Sequence, residues 1–249
     1  MLSIIIPYKY VNNIRDKTFK FIYDYYQNFP NTEIIIGKDT TNNNGFNCSN
    51  AINNAVKQSK GEYLFIVGAD TIIKPTAIDK ALERLKKFPF IIPYGYIHSL
   101  NQKISKKIIK GRDITFKEIE RTSEKISIIP GTTVYTPKNS GVQVMTREVF
   151  DQLGGYDERF TGWGWEDTYF CWKVINEIGD YPLLTDEYIY HLWHPRNKEK
   201  NTKEYKRNQE LFKSLGGDLE DFYKSQKESR DKWRDIVLKA VEHADNMPL

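Results

Sequence analysis

The chain has 249 residues and a net charge of +4, with 39% hydrophobic and 28% charged residues. These are the proportions of a folded globular protein, in one large domain or two small ones. Its two cysteines, Cys48 and Cys171, show no metal-ligand spacing and no disulfide framework, and no apolar run approaches a membrane span.

The opening segment, MLSIIIPYKY, has too short an apolar run for a signal peptide and lacks a cleavage site, so the expected compartment is the cytoplasm. Within it, LSIIIPY predicts a strand buried on both faces, because its apolar run is continuous and β-branched. Apolar and aromatic residues at helical spacing follow between Asn13 and Asn28 (Phe19, Ile22, Tyr23, Tyr26). TEIIIGKD predicts a second strand ending at Asp39. NCSNAINNAVKQSKG predicts a helix with Ala51, Ile52, Ala55 and Val56 inward and Gly61 as its stop. EYLFIVGAD predicts a third strand ending at Asp70, and KPTAIDKALERLKKF a helix with proline near its start. This alternation predicts an α/β domain with a mainly parallel sheet. Ligands of such sheets bind beyond the carboxyl ends of the strands, where Pro7, Tyr8, Asp39 and Asp70 fall.

From Phe90 to Thr136 the pattern weakens. PFIIPYGYI and KISIIPGTTVY read as strands, and between them lies a Lys-rich segment. Residues 101–125 hold eight Lys/Arg against four Asp/Glu, a solvated face or a mild attraction for anions. NSGVQVMTREVFDQLGGYDERF predicts a short strand, a helix capped by Thr146 and a Gly-Gly stop. EDTYFCWKVINEIG predicts a helix that begins at an acid pair, and EYIYHLWHP a strand ending in two histidines. After Pro195 the composition turns charged and helical, with an apolar stripe at Phe222, Trp233, Val237, Ala240 and Val241. We therefore expect a catalytic domain over residues 1–195 and a charged helical C-terminal extension over 196–249.

The stretch FTGWGWEDTYFCWKV, residues 160–174, crowds three tryptophans and two glycines around Glu166-Asp167. Carboxylates at a helix start meet unpaired N–H groups and the positive end of the dipole, so capping is the plain structural reading, and it should keep Asp167 ionised. Gly162 and Gly164, however, give freedom to a loop carrying Trp163 and Trp165. Such a loop suits a sugar ring stacked on an indole beside a hydroxyl that must lose its proton. His191 and His194 are three apart, which puts them on opposite faces of a strand unless the chain bends before Pro195.

The order of these pieces resembles the GT-A glycosyltransferases, family 2-like. The later part is similar to the C-terminal region of β-1,4-galactosyltransferases and chondroitin-type polymerases. The residues that carry the resemblance are SIIIPY, AINNAVKQSKGEYLFIVGAD, NSGVQVMTREVFDQLGGYDERFTGWGWED and YHLWH, spread over residues 1–195. The resemblance implies a Rossmann-like single domain that binds a UDP-sugar donor. Pro7, Tyr8, Asp39 and Asn53 fall on the donor side, with Asp39 at the uracil. VGAD occupies the Asp-x-Asp position, so Asp70 corresponds to the acid that binds Mn2+ or Mg2+, and Gly68 replaces the first acid. Asp167 falls on the catalytic base, Glu166 on an acceptor-hydroxyl contact, Trp163 on the tryptophan that closes over the donor, and Trp163 with Trp165 on the acceptor side. His191 matches a metal ligand, with His194 as the alternate. The implied reaction is inverting and metal-dependent, with an acceptor hydroxyl on a glycan. A modified base of phage DNA is the alternative acceptor, and a carbohydrate-binding protein without catalysis, suggested by Gly68, is the alternative class.

Overall fold

In the computed structural model the described residues are 1–41, 45–111, 116, 124–127, 141–179, 187–195, 203–218, 220, 221, 224 and 228. The fold grows outward from β1 (Leu2–Pro7), whose Ile4, Ile5 and Ile6 are fully buried. A strand apolar on both faces must be covered on both, and β1 is flanked in parallel by β2 (Thr32–Gly37) and β3 (Tyr63–Ile66). β2 is only half-buried, as the edge of the sheet requires. Beyond β3 come β8 (Gln143–Thr146) and β5 (Phe90–Ile91), giving the order β2-β1-β3-β8-β5. β8 runs antiparallel to both neighbours, so four of the five strands point the same way.

The helices start where the sequence supplies caps. Asn12 accepts from the Ile14 and Arg15 N–H groups at α1 (Asn13–Gln27), and Asn47 accepts from Asn50 at α2 (Cys48–Gln58). Pro75 opens α3 (Pro75–Arg84). The predicted inward face of α2 is buried at all four positions.

Three features depart from the sequence reading. β3 stops at Ile66, because the Thr71 N–H turns back to Gly68 O (3.2 Å). Asp70 therefore sits in a turn, and a further strand, β4 (Thr71–Ile73), begins after it. β4 belongs to a second sheet, β4-β9-β6-β7, with β9 at Tyr188–His191, β6 at Tyr96–Ser99 and β7 at Glu124–Ser127. The Lys-rich segment holds a helix, α4 (Gln102–Ile109), capped by Asn101, with Ser105 and Ile108 buried. Its lysines mask the periodicity that those two residues carry.

After β8 come α5 (Arg147–Gln152), capped by Thr146 as expected, and α6 (Glu166–Lys173), which continues as a π-helical turn, Val174–Ile178. α7 (Lys203–Ser214) follows, and its Phe212 is fully buried among Trp165, Tyr169 and Trp172. The apolar stripe from Phe222 to Val241 lies outside the described residues, as does the predicted strand KISIIPGTTVY beyond Ser127. No helix among the described residues is long and apolar enough to cross a membrane.

Candidate active site

Two carboxylate centres form at the carboxyl end of the sheet. The first gathers around Asp70 in the β3–β4 turn. His191 Nε2 lies 3.7 Å from Asp70 Oδ1, and His194 Nε2 lies 3.3 Å from Oδ2. Strand alternation placed the two histidines on opposite faces, but β9 ends at His191. The Leu192 N–H then bonds to Asp70 O (2.8 Å), and the bent chain returns His194 to the same carboxylate. One oxygen and two imidazole nitrogens lie within 4.8 Å of one another, a donor set that fits a divalent ion. Arg15, from the first turn of α1, also reaches Asp70, with Nη1 3.0 Å from Oδ2. Burial raises the Asp70 carboxyl, but His191, His194 and Arg15 outweigh it and hold the group well below the usual range. A Cβ on Gly68 would stand 3.1 Å from Asp70 Oδ1, so the Asp70 carboxylate itself crowds the slot of the missing first acid.

Pro7 pairs with Gly37 at the ends of β1 and β2, and the Tyr8 N–H bonds to Gly37 O (3.0 Å). The Tyr8 ring stacks on Phe19, 3.9 Å between centroids. Asp39 is half-buried with both oxygens in use: Oδ1 accepts from Thr41 N (2.8 Å) and Oγ1 (2.6 Å), and Oδ2 from Asn47 N (2.8 Å). Burial raises its pKa, but these hydrogen bonds prevail and lower it. The Asn53 side chain is engaged within the protein. Its amide donates to Tyr156 O (2.8 Å) and Glu158 Oε1 (2.8 Å) and accepts from Tyr156 N (2.9 Å), so it ties α2 to the loop before the acid pair.

The second centre is Glu166-Asp167, the first two residues of α6. β8 begins where β3 ends, with Gln143 opposite Ile66. That register brings Gln143 beside Tyr156, whose hydroxyl lies 2.7 Å from Gln143 Oε1 and 3.2 Å from Asp167 Oδ1. A phenol has one hydrogen to give. It can go to Gln143 or to Asp167, and when it goes to Asp167 it favours the ionised carboxylate. The helix start was expected to keep Asp167 ionised, but burial wins. Burial lifts the Glu166 carboxyl to about 7. Burial, and then the charge of Glu166, lifts Asp167 well above the usual range, against the Tyr156 hydroxyl and the Gly141 N–H. Glu166 Oε2 is buried with no hydrogen-bond partner among the described residues. The Cys48 thiol at the start of α2 feels the same acids: burial, then Glu166 and Asp167, push it well up.

The loop before the acid pair divides its tryptophans. Trp163 is 44% exposed and stacks on Tyr205 of α7, 5.4 Å between centroids. Trp165 is only 9% exposed and packs on Tyr205 and Phe212. It is a core residue under α7 rather than an open shelf for an acceptor, which corrects the role expected for it. Its φ of 78° is unusual for a bulky residue and marks local backbone strain at the entry to α6. Gly164, at φ 94°, has no room for a side chain, since a Cβ would lie 3.0 Å from the Tyr205 ring. Asn208, fully buried, donates to Gly164 O (2.9 Å) and Thr161 O (3.1 Å), and Arg207 donates to Thr161 O (2.8 Å).

Sequence reasoning missed Tyr156 and Arg15. Tyr156 lay in the Gly-Gly-Tyr-Asp block that carries the resemblance, and its place in that block was the available signal. Arg15 carried none, because one arginine in a charged helix looks like solvated surface.

Residues 16–220 match the family described as glycosyltransferase like family 2. No curated protein matches the chain. Among solved structures, the chain is similar to the mannosyltransferase PcManGT from Pyrobaculum calidifontis, in complex with GDP-Man and Mn2+. The TM-score is 0.53 at 12% identity, over 100% of this chain and 76% of that one. It is similar to S. aureus TarS 1–349 with a TM-score of 0.53 at 16% identity, over 88% of this chain and 66% of that one. With the catalytic domain of Drosophila β1,4-galactosyltransferase 7 the TM-score is 0.49 at 14% identity, over 84% and 79% of the two chains. At these identities the likeness to the first two speaks to fold alone, and that fold is GT-A. The family match runs through most of the chain, both carboxylate centres and α7 included: the chain belongs to glycosyltransferase-like family 2 and is a GT-A glycosyltransferase.

Proposed function

We propose that the chain is an inverting, metal-dependent enzyme that moves a sugar from a UDP-sugar to an acceptor hydroxyl, a glycan hydroxyl in the first instance, in the cytoplasm. One observation carries this reading: two carboxylate centres of opposite character stand at the same end of the sheet. One is a candidate metal-ligand set, the other a half-buried pair whose carboxyls are pushed above the usual range, Glu166 to about 7. Asp70, His191 and His194 would hold the ion, and two imidazoles favour Mn2+ over Mg2+, which prefers oxygen ligands. When bound, the ion offsets charge on the diphosphate leaving group. Pro7 and Tyr8 border the donor pocket. Asp39, with both oxygens engaged, shapes the pocket wall through the 39–47 loop.

Asp167 receives the proton of the acceptor hydroxyl once the pair has given up the proton that burial favours on it. The hydroxyl oxygen bonds to the anomeric carbon as the bond from that carbon to the diphosphate breaks, and UDP departs. The two acids titrate as a pair, so one of them carries a proton over a wide pH range. Tyr156 fixes the orientation of Asp167, Glu166 keeps a buried, unpartnered oxygen for an acceptor hydroxyl that enters beside it, and the exposed Trp163 screens the reacting centre from water.

UDP release measured from a panel of UDP-sugars, with Mn2+ and with EDTA, tests the proposal. Release that needs Mn2+ is the expected outcome. Equal release in EDTA removes the metal assignment, and release from a GDP-sugar alone moves the nucleotide.

A further inference from the structure

Arg15 occupies a position that the proposed reaction leaves unexplained. It stands in the first turn of α1, and its side chain crosses to the β3–β4 turn to meet Asp70 Oδ2 at 3.0 Å. The same oxygen faces His194 Nε2 at 3.3 Å. The side chains are 31% and 15% exposed, so water only partly screens the pair. An ion held by Asp70, His191 and His194 competes with Arg15 for the same carboxylate. It also sets a double positive charge beside a guanidinium, with one carboxylate to offset both. A diphosphate reverses that balance. It brings two or more negative charges, and its oxygens match the planar fork of an arginine.

We propose that Arg15 is a positioning residue that changes partners. Without nucleotide it holds Asp70; when a nucleoside diphosphate binds, it passes to the phosphates and frees Asp70 for the ion. Metal and nucleotide then bind as coupled ligands, each strengthening the other through one arginine. The inference rests on the nucleotide-sugar reading above and adds the residue through which its two ligands are coupled.

Two binding measurements test it without turnover: Mn2+ titrated alone by electron paramagnetic resonance, and UDP titrated by calorimetry with and without Mn2+. In the unaltered protein, UDP should tighten Mn2+ binding by roughly 10- to 100-fold. In Arg15→Ala, Mn2+ alone should bind about tenfold tighter and UDP alone about tenfold weaker, so the coupling shrinks from both sides. Arg15→Gln keeps much of the side chain's packing and should behave alike, which separates loss of charge from loss of fold. A structural brace predicts weaker binding of both ligands. Unchanged or weaker Mn2+ binding in both variants, with UDP still bound by the unaltered protein, overturns the role of Arg15. An unaltered protein that binds neither ligand overturns this inference together with the donor reading beneath it.

Discussion

Asp70 and the Glu166–Asp167 pair are both drawn out of water, yet their protons are held in opposite ways. Burial pushes each carboxyl up. Around Asp70 two histidines and an arginine reverse that push. Around Asp167 the nearest charge is another acid, which adds to it. Neutral donors, a phenol and backbone N–H groups, do not compensate. Cationic partners rather than depth therefore separate a carboxylate suited to bind an ion from one suited to exchange a proton.

The largest effect should come from removing the proposed proton acceptor. Asp167→Asn keeps the shape and the start of α6, and kcat should fall by roughly 10²- to 10⁴-fold with UDP affinity little changed in calorimetry. Near-normal kcat would reduce the pair to a helix start and erase the contrast with Asp70. At the other centre, Asp70→Ala should weaken Mn2+ binding by more than about 100-fold, since even outer partners of metal ligands are commonly worth 10- to 100-fold. His191→Ala and His194→Ala should each cost a comparable amount, because both rings face the same carboxylate. A loss confined to one histidine would show that the bend after β9 does not deliver the other.

A smaller effect lies in stability. Between the ordinary carboxyl range and about 7, the folded chain keeps protons that the unfolded chain has lost, so Glu166 makes stability fall as pH rises through that window. Asp70, held low, works the other way: its contribution is complete above the ordinary carboxyl range and is lost on acidification. Glu166→Gln should flatten the slope of thermal stability between pH 5 and 8 and stabilise the protein at pH 8 by on the order of 2 kcal/mol. A steeper slope in the variant would place the burial cost elsewhere. The smallest effect is that of Tyr156→Phe. Loss of the hydroxyl should raise the apparent pKa of the kcat profile by up to about one unit, worth about 1.4 kcal/mol, and change kcat at high pH by only a few-fold.

The β-α-β-α-β-α half was legible because each element announces itself locally, by an unbroken β-branched run or by caps such as Asn12, Asn47 and Pro75. Thr146 as a cap was legible for the same reason. What the sequence hid depends on distant partners. His191 and His194 share one carboxylate only because Leu192 bonds to the Asp70 carbonyl, a contact invisible to strand alternation. Trp165 looked like an open aromatic because Phe212 and Tyr205, which cover it, lie forty or more residues downstream. The ionisation of Asp167 was misjudged because the helix start is local and visible, while the burial that overrides it comes from Tyr156 and the start of β8.

The clasp of α7 on the Thr161–Gly164 loop has a consequence for how the enzyme comes into being. A chain emerging from the ribosome can pair β1, β2 and β3 as soon as those residues are free, and domains generally fold from the N-terminal side as they are made. The acid pair cannot be set so early. Trp165 has no cover until Tyr205 and Phe212 arrive, and the carbonyls of Thr161 and Gly164 wait for Asn208. The acid pair therefore takes its final setting only after the sheet that it adjoins. A ribosome stalled before residue 203 would hold a folded sheet whose acid pair has yet to be put in place.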